Sequence, residues 1–353
     1  MNEWTSLESL QARLKENWPA FSVCRERSAS VFQSLSDALS DIDDAAASVI
    51  VTGSLGRGEV TDGSDVDWLL LVDGLSNPDH GLLLRQVSER IGSVIKKDVG
   101  RTKTFADLVV SHQLIHYIAG TRDTNENLTR RILMLSESRA ITGTLVRQRV
   151  IRNILERYVI YDRSVRSKTG NRQYVPHFLL NDVVRYWRTM ASDYASKMWE
   201  RQGEGWGIRN VKLRFSRKLL FIWGLLASFS GELFELESLQ TVENEEDFLR
   251  LLAEVIRGQT DVPPLELLAR AVNQGCSDDT ARGIFSSYNQ FLGALSVSER
   301  RAELESVAFE EASDNATFDE LRELSGIFRQ SVNKFFFDEH PRLPKLIRDY
   351  GVF

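Results

Sequence analysis

Asp65 and Asp67 stand two apart in Ser64-Asp-Val-Asp-Trp-Leu-Leu-Leu, at the start of an apolar run. A strand has a side-chain period of two, so both carboxylates fall on one face and Val66 on the other. Two like charges held side by side are costly unless a cation neutralises them. A pair of Mg²⁺ ions about 3.5–4 Å apart does so, and also clamps the attacking and leaving oxygens of a phosphoryl displacement. Mg²⁺, or Mn²⁺ in its place, is therefore the expected cofactor, with Asp65 and Asp67 as its ligands.

Upstream, Gly53 and Ser54 close a short β-branched run. Glycine lets backbone approach a ligand, and freed N–H groups together with the Ser54 hydroxyl suit the β- and γ-phosphates of a nucleotide. Arg57 adds a guanidinium whose fork fits phosphate oxygens. Taken singly, an Asp-x-Asp is usually two surface carboxylates and a Gly-Ser is usually a turn. Their order here decides between the two readings: strand, Gly-Ser, polar loop, Ser-Asp-x-Asp, then an unbroken apolar strand.

Certain elements must position these groups. Residues 5–46 carry apolar side chains at helical spacing (Leu7, Leu10, Leu14, then Val31, Leu35, Leu39) and predict one or two helices. Residues 48–52 and 65–72 predict buried strands, 82–96 a helix, and a third strand or extended segment is expected within 98–110. From about Asn127 nearly every segment reads as helix: 127–142, 145–158, 178–200, 211–229, 245–257, 265–274, 278–294, 298–311 and 317–336. Pro263-Pro264 and 275–279 read as joints, and the acidic stretch 303–323 as a solvated helix face.

Composition narrows the class. A chain of 353 residues with 42% apolar and 27% charged residues is an ordinary globular protein, long enough for roughly two domains. The net charge of −6 offers no overall basic field for gripping nucleic acid. Cys24 and Cys276 stand far apart, which argues against a disulfide framework or a cysteine zinc site. The charged segment 1–19 does not read as a signal peptide, and Leu219–Phe229 is too short to span a bilayer, so a cytoplasmic location and no membrane partner are expected.

The stretch from Val51 to Leu71 resembles the signature of the DNA polymerase beta-type nucleotidyltransferase superfamily. In detail, Gly53-Ser-Leu-Gly-Arg-Gly-Glu followed by Ser64-Asp-Val-Asp is most similar to the bacterial nitrogen-signalling uridylyltransferases that modify a regulatory protein of the PII type. Val99-Gly100-Arg101-Thr102 and Glu137-Ser138-Arg139-Ala140-Ile141-Thr142-Gly143 resemble further segments of those enzymes. The likeness covers about residues 30–145, and nothing here resembles their histidine-aspartate hydrolase or ligand-sensing domains.

The resemblance implies an α+β nucleotidyltransferase domain over 1–145, a small mixed sheet with N-terminal helices. An all-helical portion over 146–353 follows, with a further division open near 258–264. It implies transfer of a nucleoside monophosphate from an NTP such as ATP to an acceptor, with pyrophosphate released. A third carboxylate from a neighbouring strand is implied as well; Asp107, in Phe105-Ala-Asp-Leu-Val-Val, has the acid-then-apolar pattern, and Asp98 is the next choice. The competing reading makes Asp107 the first charge of a helix over 108–118. Basic groups from the helical lobe are expected at the triphosphate: Lys212 and Arg217 are the candidates, from a cluster that includes Arg185, Arg188, Arg209, Arg214 and Lys218.

Other features read as structural. His112 and His116 stand four apart but lack a third ligand in sequence. The aromatic residues at 187, 199, 206 and 223 suit core packing, and the polar segment 162–172 is a lid or a partner surface. For the acceptor, a protein side chain comes first from the resemblance; a tRNA end, a second nucleotide or a small molecule follow. A nucleotide-binding regulator without catalysis and a purely helical interaction protein are the readings from other classes.

Overall fold

A computed structural model describes residues 4–42, 44–95, 107–162, 174–200, 203–310 and 312–351, with backbone alone at 197–200 and 313. Helices α1 (Thr5–Leu14) and α2 (Pro19–Ala38) precede strand β1 (Ala47–Thr52). Pro19 opens α2, where a missing N–H breaks no helical bond. β1 runs directly into a short helix α3 (Gly53–Arg57); β2 (Asp67–Val72) and α4 (Asp79–Val94) follow. Then come β3 (Asp107–Val110), α5 (Ser111–His116), α6 (Asn125–Glu137), the two-residue β4 (Arg139–Ala140) and α7 (Thr144–Ile160).

The four strands form one mixed sheet in the order β3-β2-β1-β4. β1 and β2 are antiparallel with Thr52 opposite Asp67. β2 and β3 are parallel with Leu69 opposite Asp107, and β4 returns antiparallel along β1 with Arg139 opposite Val51. Both faces are covered, which is why these strands read as near-continuous apolar runs. Val49, Val51, Trp68, Leu70 and Val72 pack on Leu35 and Leu39 before the sheet and on Val87 and Ile91 of α4. Ile50, Leu69, Leu71 and Val109 belong to the larger core shared with the helical portion. By alternation, Asp67 points to that second side, toward the helices.

The remainder of the described chain is helical: α8 (His177–Glu200), α9 (Trp206–Lys212), a π-helical turn at Leu213–Arg217, α10 (Lys218–Ser228), and two short helices α11 (Ser230–Phe234) and α12 (Leu236–Gln240). After these come α13 (Glu245–Thr260), α14 (Pro264–Gln274), α15 (Asp278–Leu295), α16 (Ser298–Ser306), α17 (Ala316–Lys334) and α18 (Leu343–Leu346). Side-chain caps at Asn244, Ser277 and Asn315 set three of the starts. The N-terminal helix docks far along the chain: the Glu266 carboxylate accepts from the N–H groups of Ser6 and Leu7 at 2.6 and 2.9 Å. One core runs on both sides of residue 145, which lies in the first turn of α7.

Several expected spans are redrawn. The helix expected over 127–142 stops at Glu137, because Arg139 and Ala140 pair with β1 and Gly143 takes a left-handed φ of 65°. The helix expected over 298–311 stops at Ser306, and a new one begins after the Asn315 cap. The third strand occupies Asp107–Val110, so the helix alternative over 108–118 gives way to a strand followed by the short α5. Asp98 and the segment 99–102 lie outside the described residues. No helix among the described residues is long and apolar enough to cross a membrane; the apolar run 219–229 falls on α10 (Lys218–Ser228) and its C-cap Phe229 and is largely buried.

Candidate active site

The turn from β1 into α3 is built around Gly53. Its φ is +66°, and a Cβ there would stand 2.7 Å from Asp67 Oδ2, so glycine is required both by the backbone and by the carboxylate lying over it. The Gly53 N–H donates to Glu137 Oε1 at 3.0 Å. Arg57, at the end of α3, is buried: its Nε donates to Glu59 Oε2 at 2.7 Å and its Nη1 to Glu137 Oε2. Glu59 in turn accepts from the Tyr288 hydroxyl of α15 at 3.0 and 3.1 Å. A Cβ on Gly56 would lie 1.7 Å from the Glu137 carbonyl oxygen, so α3 and the end of α6 touch backbone to backbone.

This network alters what the motif residues have left to offer. The Gly53 N–H expected to face phosphate is occupied by Glu137, and the Arg57 guanidinium is held between two carboxylates. Both residues still line the cleft described next, but as its frame. Ser54 lines it too, beside them.

A cleft of about 790 Å³ opens between the sheet and the helical portion. Asp65, Asp67, Gly53 and Ser54 form one wall; Lys212 and Arg217, from α9 and the π-helical turn, and Arg185 and Arg188, from α8, come from the helical side. π-Turns inside helices recur at functional sites, and this one carries Ser216 and Arg217 to the cleft. Burial pushes the Asp67 carboxyl up to about 6, reinforced by the neighbouring charges of Glu137 and Asp65. Burial likewise brings the Lys212 ammonium down to about 8, with Arg301 and Arg217 repelling it while Asp65 and Asp67 attract it. Burial pushes Glu137 upward as well, opposed by Arg57.

Asp65 and Asp67 fit a hard divalent cation: Asp67 opens β2, Asp65 lies two residues before it in the preceding loop, both line the cleft, and burial together with the Glu137 and Asp65 charges holds the Asp67 carboxyl above its usual range. No group of three or more His, Cys, Asp or Glu is placed to hold a metal among the described residues. The pair alone, completed by substrate phosphates and water, is a donor set that Mg²⁺ commonly accepts.

Asp107 stands one strand over on the same face of the sheet, opposite Leu69 and so two residues on from Asp67. It does not line the cleft. Its Oδ2 accepts from Arg130 at 2.6 Å, and Arg130 also pairs at 2.8 Å with Glu126, which does. Of the other basic candidates, Arg185 is bound to Asp123 and Asp182 in a buried cluster with Arg131 and Tyr158. His112 and His116 sit with rings 4.7 Å apart on the exposed side of α5. Trp206 and Trp223 are buried and Trp187 stacks on Phe221, all away from the cleft wall. The Trp199 side chain and residues 163–173 lie outside the described residues.

Glu137 is the residue that sequence reasoning passed over. It appeared there only within a segment of family likeness. The signal that would have found it is the Arg57 charge next to Gly53, which has to meet a carboxylate once buried. Glu59 and Tyr288 complete that requirement from opposite ends of the chain.

Comparison with known families gives one match: residues 33–161 fit the model of the nucleotidyltransferase domain. That span includes β1, α3, β2, β3, α6 and β4, hence Gly53, Asp65, Asp67, Asp107 and Glu137. A comparison with curated proteins returns no match. The chain thus carries a nucleotidyltransferase domain and is a nucleotidyltransferase, its general reaction the transfer of a nucleoside monophosphate.

Proposed function

We propose that this nucleotidyltransferase is divalent-metal dependent, works in the cleft between sheet and helices, and modifies a protein side-chain hydroxyl. One observation carries the proposal: Asp65 and Asp67 share a cleft with Lys212 and Arg217, so a cation-holding wall faces an anion-holding one. A nucleoside triphosphate with its metal needs both.

In this scheme Lys212 and Arg217 neutralise the triphosphate, and the Ser54 hydroxyl donates to one of its oxygens. A cation held by Asp65 and Asp67 would supply charge neutralisation between the carboxylates and the phosphates. The acceptor oxygen attacks the α-phosphorus and the bond to the β-phosphate oxygen breaks, releasing pyrophosphate. Asp107, paired with Arg130 and outside the cleft lining, is the carboxylate that the superfamily resemblance offers for taking the acceptor's proton. Glu137 acts by position: it holds Gly53 and Arg57, and so the floor on which Asp67 rests. Catalysis is then mostly orientation and charge compensation.

The protein acceptor is supported by the motif likeness to uridylyltransferases that modify a regulatory protein. The net charge of −6 also counts against a long nucleic acid, which would need several unpaired Lys or Arg to meet phosphates. The presence of both Asp65 and Asp67 counts against a regulator without catalysis.

The test is label transfer from each of the four α-labelled NTPs with Mg²⁺ or Mn²⁺, with pyrophosphate release, with and without host lysate. Wild type should transfer label, and Asp65→Ala/Asp67→Ala should not. The mass of the product names the acceptor. Metal-dependent NTP binding without transfer would instead favour the regulator, and neither binding nor transfer would overturn the site.

A further inference from the structure

Behind the catalytic cleft lies a second cavity, of about 590 Å³. The partition between the two is α3 with the α6–β4 junction: Arg57 and Glu137 line both spaces, while Gly56 and Gly58 face only the second. Its volume is in the range of small-molecule sites.

The chemistry of the far walls is specific. Arg139 of β4 lies over the Phe32 ring at 4.2 Å, and Arg25 lies over the Trp4 ring at 5.1 Å. Among the described residues, no hydrogen bond or carboxylate partner accompanies the Arg139 guanidinium. The carboxylates that line the cavity are mostly committed elsewhere: Asp261 to Arg147 at 2.8 Å, Glu137 to Arg57 and Gly53. Arg25 also pairs with Glu8 at 3.6 Å, and Glu26 adds a carboxylate to the wall, so Arg139 is the guanidinium left to meet a ligand, with flat guanidinium–aromatic pairs at the cavity's edge. Such pairs stack against nucleobases, and arginine forks grip phosphate.

We propose that this cavity is a second nucleotide site, taking a nucleoside monophosphate without metal, and that its occupancy is felt at the catalytic centre. The route is short. Arg139 is two residues from Glu137 and pairs with Val51 of β1; β1 runs into Gly53, whose N–H Glu137 holds beneath Asp67. A ligand on Arg139 thus bears on both ends of the Gly53–Glu137 bond. The proposal rests on the transfer reading only for its activity readout; the binding is independent of it.

The test is equilibrium dialysis of the full chain with labelled AMP, GMP, CMP and UMP in EDTA, which removes metal-dependent binding in the catalytic cleft. At least one mononucleotide should bind at one site per chain. Arg139→Glu should weaken it at least about tenfold, while Lys212→Ala leaves it unchanged. Arg25→Glu is the second variant should Arg139→Glu fail to fold. No metal-free binding at about 1 mM, or binding lost in Lys212→Ala and kept in Arg139→Glu, overturns the proposal. With an NTP and metal present, the bound mononucleotide should change the transfer rate of wild type and not of Arg139→Glu; an equal effect on both overturns the coupling. Metal-free binding that needs Arg139 in a chain that transfers nothing would uphold the second site and sink the transfer reading.

Discussion

Asp67 lies directly over Gly53, so close that a Cβ on the glycine would meet Asp67 Oδ2 at 2.7 Å. The contact follows from the register, since Thr52 pairs with Asp67 and the chain turns away at the next residue. Gly53→Ala should therefore do two things at once. The left-handed φ would cost about 1–2 kcal/mol, seen as a lower urea midpoint. Displacement of the carboxylate should lower label transfer at least about 100-fold, since an error near 1 Å in a reacting group costs that much. Transfer close to wild type in Gly53→Ala would remove Asp67 from the reaction.

Glu137 links Gly53, Arg57 and, through Arg57, Glu59. Glu137→Gln keeps an acceptor for the Gly53 N–H but loses the charge opposite Arg57. A stability loss of about 1–3 kcal/mol is expected by urea unfolding. Glu137→Ala leaves Arg57 with a single partner and should cost about 3–5 kcal/mol. Both variants should also lower transfer, and an unchanged urea midpoint in Glu137→Ala would contradict the buried network.

Lys212→Ala and Asp107→Asn separate binding from proton transfer. Lys212→Ala should lower kcat/KM about 100- to 1000-fold through weaker triphosphate neutralisation. Asp107→Asn should lower kcat with NTP affinity retained, the pattern of a group that acts only in the transition state. If Asp107→Asn transfers like wild type, the proton-accepting role belongs elsewhere.

His340 provides a pH test away from the site. Its Nδ1 accepts from the N–H groups of Arg342 and Leu343, both at 3.1 Å. Burial, with help from the Arg342 charge, lowers its pKa to about 4 from 6.5. The folded state thus binds fewer protons than the unfolded one between these values, so stability rises with pH there and falls on acidification. Urea midpoints should drop from pH 7 to pH 5 in wild type. The drop should shrink in His340→Asn, whose side-chain oxygen can accept the same two bonds. An equal drop in both would place the acid sensitivity in other groups.

The sequence by itself determined the features that depend on near neighbours. The Asp-x-Asp spacing sets Asp65 and Asp67 close together, although β2 begins only at Asp67 and Asp65 lies in the loop before it, and the continuous apolar runs of β1 and β2 demand a sheet covered on both sides. Apolar spacing also marked most of the later helices, although the end at Glu137 depended on a strand pairing and the start after Asn315 on a side-chain cap, neither of which periodicity registers. Tertiary structure alone decided which distant groups meet this strand. It set Lys212 and Arg217 on the facing wall, gave Arg57 to Glu59 and Glu137 rather than leaving it open to phosphate, and left Asp107 beside Arg130. The physical reason is that local patterning records which face of an element is buried, whereas a buried charge must find its counter-charge wherever the packed chain brings one. Glu137 lies 80 residues from Arg57, and Tyr288 lies 229 from Glu59.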